Sequence, residues 1–174
     1  MYQPGDLIVY GGSGVCRVID VGKPNFHIAD SEKLYYKLLP IYSSETIYTP
    51  VDTCVFMRPV ISQEEAEKLI SEIPSIKENF CDNKKPSFLT AHYKESFESH
   101  NCKDLMQLIK TIYTKNQEAA QNKKQIGQTD QHFMALAEDL LYGELAVALG
   151  IERENVLEYI ENVVSPIREE LEVE

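Results

Sequence analysis

Near residue 60 the apolar residues of this chain change their spacing, from the alternation of strands to the three-and-four pattern of helices, and no single regular layer can satisfy both. Before the break, Asp6–Tyr10, Val15–Asp20, Leu34–Leu39 and Thr46–Thr49 are short runs rich in Val, Ile, Tyr and Thr, with Cys54–Arg58 as a candidate fifth. GGSG at 11–14, Gly22-Lys-Pro24 and Pro40 punctuate them. Strands this short, with no helical period between them, predict a small antiparallel barrel or strongly curved sheet over residues 1–60.

After the break, Ser62-Gln-Glu-Glu65 has the form of a capping box, and Pro74 stops the helix that Ala66, Leu69 and Ile70 would bury. A second helix is expected from Ser87 towards Ser99. A third is capped by Asn101, with Leu105, Leu108, Ile109 and Ile112 on one face. A fourth begins after Thr129, carries Phe133, Ala137, Leu141 and Leu145, and closes at Gly150. A fifth carries Val156, Tyr159, Ile160 and Val163 and ends at Pro166. The expectation is an α+β chain: a β domain over 1–60, an all-helical domain over 61–166 and an acidic tail over 167–174.

At 174 residues the chain can bury a core without a staple of disulfides or metal. No stretch approaches the roughly 20 apolar residues of a spanning helix, and MYQPGDLIVY lacks the basic and long apolar parts of a signal peptide. A soluble cytoplasmic protein with no membrane partner is expected, its four cysteines (Cys16, Cys54, Cys81, Cys102) remaining free thiols. The net charge of −11 argues against a polyanionic partner, but it is unevenly spread. Residues 84–130 hold 8 Lys against 5 acids, whereas residues 131–174 hold 11 acids against 2 Arg.

Local patterns for catalysis are absent: no GxSxG, HExxH, Walker or dinucleotide fingerprint occurs, so no catalytic residue, small-molecule substrate or cofactor is assigned. GGSG lacks a following Lys-Ser/Thr and reads as a turn between strands. Cys81, His92, His100 and Cys102 have none of the usual zinc spacings, which leaves a zinc hydrolase as a remote option and no metal site assigned. The stretch 84–97 interleaves Lys84, Lys85, Lys94 and His92 with Phe88, Leu89, Tyr93 and Phe97. Such a mixture can hold duplex phosphates while an apolar side chain enters the minor groove. The competing account makes Tyr93 and Phe97, at i and i+4, the buried side of a helix with solvated lysines opposite.

These residues together resemble the CarD/CdnL family of bacterial RNA-polymerase-binding transcription regulators. The resemblance lies in Pro4-Gly-Asp-Leu-Ile-Val-Tyr10, Leu34-Tyr-Tyr-Lys-Leu-Leu-Pro40, Thr46-Ile-Tyr-Thr-Pro-Val-Asp52 and Met57-Arg-Pro-Val-Ile-Ser-Gln-Glu-Glu65, then in His92-Tyr-Lys94 and Leu140-Leu-Tyr-Gly-Glu-Leu-Ala-Val-Ala-Leu-Gly150. It implies a Tudor-like β barrel that binds the RNA polymerase β subunit through an exposed strand, here Thr46, Ile47, Tyr48, Thr49 and Pro50. It also implies a helical domain touching promoter duplex DNA at the minor groove, beside the upstream edge of the melted region, which stabilises the open complex and associates the protein with the nucleoid. The DNA-contacting residues would be Lys84, Lys85, Phe88, Leu89, His92 and Lys94. The family's wedge is a Trp four residues before the Tyr of an Arg-Tyr-Lys/Arg motif; this chain has no Trp, Leu89 stands at that position beside Phe88, and His92 replaces the Arg. An adaptor that keeps the polymerase or another protein partner without touching DNA is the alternative.

Overall fold

The computed structural model describes residues 1–26 and 32–173. By its contacts the chain divides into two units, Met1–Ile61 and Ser62–Glu174.

In the first unit β1 (Leu7–Tyr10), β2 (Val15–Gly22), β3 (Tyr35–Pro40), β4 (Ile47–Pro50) and β5 (Met57–Pro59) form one antiparallel sheet in the order β4-β3-β2-β1-β5. Alternation along the strands sends Ile8, Cys16, Val18, Tyr36 and Leu38 to one face, where they close into a buried cluster. Burial pushes the Cys16 thiol up to about 11, so it stays protonated in that core. A register break between Val18 and Asp20 gives β2 one extra residue against β3, a bulge that bends the sheet. The GGSG run joins strand to strand, and Gly11 has a φ of +44° in a place where a Cβ would stand 3.0 Å from Val55 Cγ1.

The sheet is not closed into a barrel, which corrects the expectation for residues 1–60. Among the described residues no ladder joins β4 to β5, the two edges. They hold four and three residues and end in Pro50 and Pro59, which have no N–H to offer a closing ladder. Curvature joins distant strands through side chains instead: the Tyr10 hydroxyl on β1 donates to Thr49 Oγ1 on β4 at 3.1 Å.

The second unit contains α1 (Gln63–Ser71), α2 (Pro86–Glu98), α3 (Cys102–Gln121), α4 (Gln128–Leu149) and α5 (Val156–Val173). The capping box forms in both directions, Glu65 N–H to Ser62 Oγ at 3.1 Å and Ser62 N–H to Glu65 Oε2 at 2.7 Å. Asn101 Oδ1 accepts the Lys103 N–H at 2.7 Å, and Gly150 closes α4 at a φ of +67°. Ile70, Leu69, Tyr93, Ile109, Ile112, Phe133, Leu141, Leu145 and Val156 build the core. One helix end differs from expectation, because α5 runs through Pro166 to Val173. Proline deletes one ladder donor, while the stripe Val156, Ile160, Val164, Ile167 keeps its helical spacing across it. Residues 167–173 are therefore helix rather than a separate tail.

Polar groups tie these helices together at two places. The Tyr93 hydroxyl on α2 donates to Asp130 Oδ1 on α4 at 2.6 Å, and Lys115 Nζ on α3 reaches the same oxygen at 2.6 Å and the phenol at 3.1 Å. Asp130, only 5% exposed, also sits in the first turn of α4, where the helix dipole favours its charge. The second tie straps the α1–α2 connection along α3. Lys110 Nζ donates to the carbonyls of Ile73, Pro74 and Ile76 at 2.9, 3.1 and 2.5 Å. Gln107 Nε2 donates to Lys77 O at 2.9 Å, and Thr114 Oγ1 donates to Glu78 Oε1 at 2.9 Å. That carboxyl lies below its usual range, chiefly because of its backbone hydrogen bond.

Removing the shared carboxylate with Asp130→Ala leaves Lys115 without its counter-charge and should lower stability by about 3–5 kcal/mol, measured as a shift in urea midpoint at constant slope. Alkali should act on the same place. Burial, then Asp130, raises the Tyr93 phenol above its ordinary value, and burial with Glu138 and Glu161 raises Tyr142. A raised phenol stabilises the fold fully below the unfolded value of about 10, and that contribution is lost as pH climbs beyond it. The urea midpoint should therefore hold steady up to about pH 10 and fall progressively above it, less steeply in Tyr93→Phe.

Candidate functional site

Edge strands carry backbone groups that the sheet leaves unpaired, and β4 is such an edge. Which groups these are follows from the ladder. Val51 N–H donates to Leu34 O at 2.9 Å, so that opposed pair is a hydrogen-bonded one, and pairs alternate from there. Thr49 opposite Tyr36 and Ile47 opposite Leu38 thus turn their backbone towards β3, while Tyr48 turns its N–H and C=O outward. Pro50 adds an outward carbonyl without a donor.

Side chains sort in the opposite sense. Ile47 packs on the core cluster and Thr49 is buried beneath Tyr10, so neither offers its side chain to a partner. The Tyr48 side chain, 39% exposed, meets Phe26 edge to face at 4.7 Å on the outer face. Thr46, just before β4, is exposed. The five residues expected at the polymerase contact are therefore not equivalent, and Tyr48 combines outward backbone with an accessible ring.

The second candidate surface begins α2. Pro86 occupies its first turn, Lys85 caps it without a side-chain bond, and no acid lies in that turn, so the positive end of the helix adds to Lys84 and Lys85. Phe88 is 55% exposed, whereas Leu89 is half-buried. The two expected wedge residues thus separate, with Phe88 alone standing well out. Tyr93 is 1% exposed and edge-to-face with Phe133 at 5.6 Å, while Phe97 lies 5.9 Å from the same ring. The core account of Tyr93 is the one the structure bears out.

Two further expected contacts stand elsewhere. Lys94 is exposed but lies roughly 120° round α2 from Phe88 at 3.6 residues per turn. His92 Nε2 sits 2.9 Å from Asn79 O, and since a carbonyl only accepts, this nitrogen carries the hydrogen. The imidazole is thereby engaged by the protein's own backbone. Of the eight lysines in 84–130, Lys110 and Lys115 are committed to internal bonds, while Lys84, Lys85, Lys94, Lys103, Lys123 and Lys124 remain exposed.

Sequence reading missed Phe80. It is 47% exposed and follows Asn79, whose N–H donates to Thr111 Oγ1 at 3.0 Å and whose carbonyl takes the His92 hydrogen. Only the tertiary placement of that segment could flag it, because Phe80 sits in an acidic stretch with no periodicity. Cys81, His92, His100 and Cys102 are not gathered into a zinc site: Cys102 Sγ donates to Glu144 Oε2 at 3.1 Å and Cys81 Sγ to Asn83 O at 3.3 Å. Among the described residues no group of three or more His, Cys, Asp or Glu could hold a metal ion. Among them, too, no helix is long and apolar enough to cross a membrane.

The ladder gives a direct check on the assignment of backbone directions. Ile47→Pro removes a donor to β3 and should destabilise the sheet by about 1–3 kcal/mol, whereas Tyr48→Pro removes an outward donor and should change stability by less than about 1 kcal/mol, both by urea unfolding.

Residues 2–61 match the CarD-like/TRCF RID domain family. No curated protein matches the chain.

Proposed function

Taking residues 2–61 as a CarD-like/TRCF RID domain, we propose that the protein is a non-enzymatic transcription regulator that binds the RNA polymerase β subunit along β4 and presents its helical unit to promoter DNA. The observation that carries the first half is the outward backbone of Tyr48 on an edge strand of that domain. An incoming strand would pair with it, its main-chain hydrogen bonds supplying affinity and the Tyr48 ring supplying choice.

Support for the second half is the cluster of Lys84, Lys85 and exposed Phe88 at the uncapped start of α2. Lysines there would neutralise phosphates without reading bases, and Phe88 would enter a widened minor groove beside melted DNA. Leu89 and His92, turned in and bonded internally, would shape this surface rather than touch DNA. The protein would then lie in the cytoplasm, carried to the nucleoid by polymerase. An adaptor without DNA contact is favoured by a different observation, the two part-buried lysines committed to internal bonds, which leaves less basic surface than the sequence advertises.

Capture of polymerase tests the first half. Tyr48→Pro should reduce co-purification of the β subunit at least about tenfold while the protein stays folded, since the lost hydrogen bonds are intermolecular; undiminished capture would overturn the assignment of β4. Salt titration tests the second. Lys84→Ala with Lys85→Ala should lower the slope of log K against log salt on duplex DNA by about two units, and Lys94→Ala, on another face, should leave it unchanged. Absence of duplex binding by the parent protein would favour the adaptor.

A further inference from the structure

Phe80 and Phe88 are two of the aromatic rings left exposed on the helical unit, one a single residue and the other a single helical turn from the ends of the His92–Asn79 hydrogen bond. Phe88 lies one turn before His92 on α2 and hence on the same helix face, about 6 Å away between Cβ atoms. His92 holds Asn79, and Phe80 is the next residue. Phe80 and Phe88 are 47% and 55% exposed, and what sets them apart from the unit's other exposed apolar side chains is the neighbouring Lys84 and Lys85.

The backbone beneath Phe80 is fixed. Asn79 is held through both its N–H, by Thr111, and its C=O, by His92, and the segment leading to it is pinned to α3 by Lys110 and Gln107. Such anchoring removes the ordering entropy that a loose loop would lose on binding. Lys84 and Lys85 follow on the same short connection, after Asp82, and bring two cations within five residues of Phe80. Rings that are rigidly based, exposed and flanked by cations suit a ligand with flat π faces and a negative backbone.

Resting on the DNA-contact half of the function proposed above, we propose that Phe80 and Phe88 together form a stacking platform for unpaired bases of nucleic acid, with Lys84 and Lys85 holding the adjoining phosphates and His92 acting as a positioning residue through Asn79. The platform favours a melted segment over intact duplex because only unpaired bases expose both faces. It adds a second ring to the single apolar wedge.

The experiment compares a duplex with the same duplex carrying a short unpaired bubble, using the full chain. The parent should prefer the bubble on the order of tenfold, the scale of one base stacked on one ring. Phe80→Ala should remove most of that preference while leaving duplex affinity and its salt slope as in the parent. Phe80→Trp should retain the preference, and its indole, in a chain with no other Trp, should be quenched by the bubble and not by the duplex. His92→Ala should behave as Phe80→Ala, with rescue by His92→Gln, which keeps a donor for Asn79. If Phe80→Ala keeps the full bubble preference, or the Phe80→Trp fluorescence is unmoved by the bubble, the platform is overturned while DNA contact through Phe88 and the lysines still stands. If the parent binds neither probe, DNA contact itself fails and the platform with it.

Discussion

A phenol, a carboxylate and an ammonium group from three helices meet at one buried oxygen, and the arrangement of the helical unit follows from that meeting. Tyr93, Asp130 and Lys115 satisfy one another at 2.6–3.1 Å in a place where any of them left alone would carry a large desolvation penalty. Because Tyr93 must face inward to make this contact, the rotation of α2 is set. That rotation leaves Phe88 exposed, turns Leu89 partly inward and carries Lys94 round to another side.

The same economy of charge operates in the strap along α3. Gln107, Lys110, Thr111 and Thr114 recur at helical spacing, and each bonds the connection between α1 and α2. A segment with no repeating secondary structure has its backbone groups accounted for by side chains, so it stays fixed without a ladder of its own. One consequence is electrostatic: lysines that look like available surface charge in the sequence are partly spent on internal carbonyls and a carboxylate. Another is positional, because Asn79 and therefore Phe80 are held where His92 reaches them.

In the sheet the ruling constraint is period two. Once Ile8, Cys16, Val18, Tyr36 and Leu38 share the core face, every backbone direction along β4 is fixed by its ladder with β3. Tyr48 is turned out in backbone and half out in side chain, while its neighbours Ile47 and Thr49 are turned in on both counts. The short edges and their terminal prolines keep the sheet open, and an open sheet retains an edge with which another chain can pair.

The first four strands, the capping box at Ser62 and Glu65, the Asn101 cap and the Gly150 terminator were legible in the sequence, because each depends on residues adjacent in the chain or on a simple apolar period, whereas the fifth strand, expected over Cys54–Arg58, lies at Met57–Pro59. So was the α+β class. Pro166 misled, since a single proline weakens a helix by a local amount that a continuing apolar stripe can offset. The openness of the sheet, the inward turn of Leu89, the capture of His92 by Asn79 and the exposure of Phe80 were decided only in three dimensions. Each depends on groups brought together from residues 13 to 39 positions apart, where the favourable contact is set by packing of whole elements and leaves no local signature.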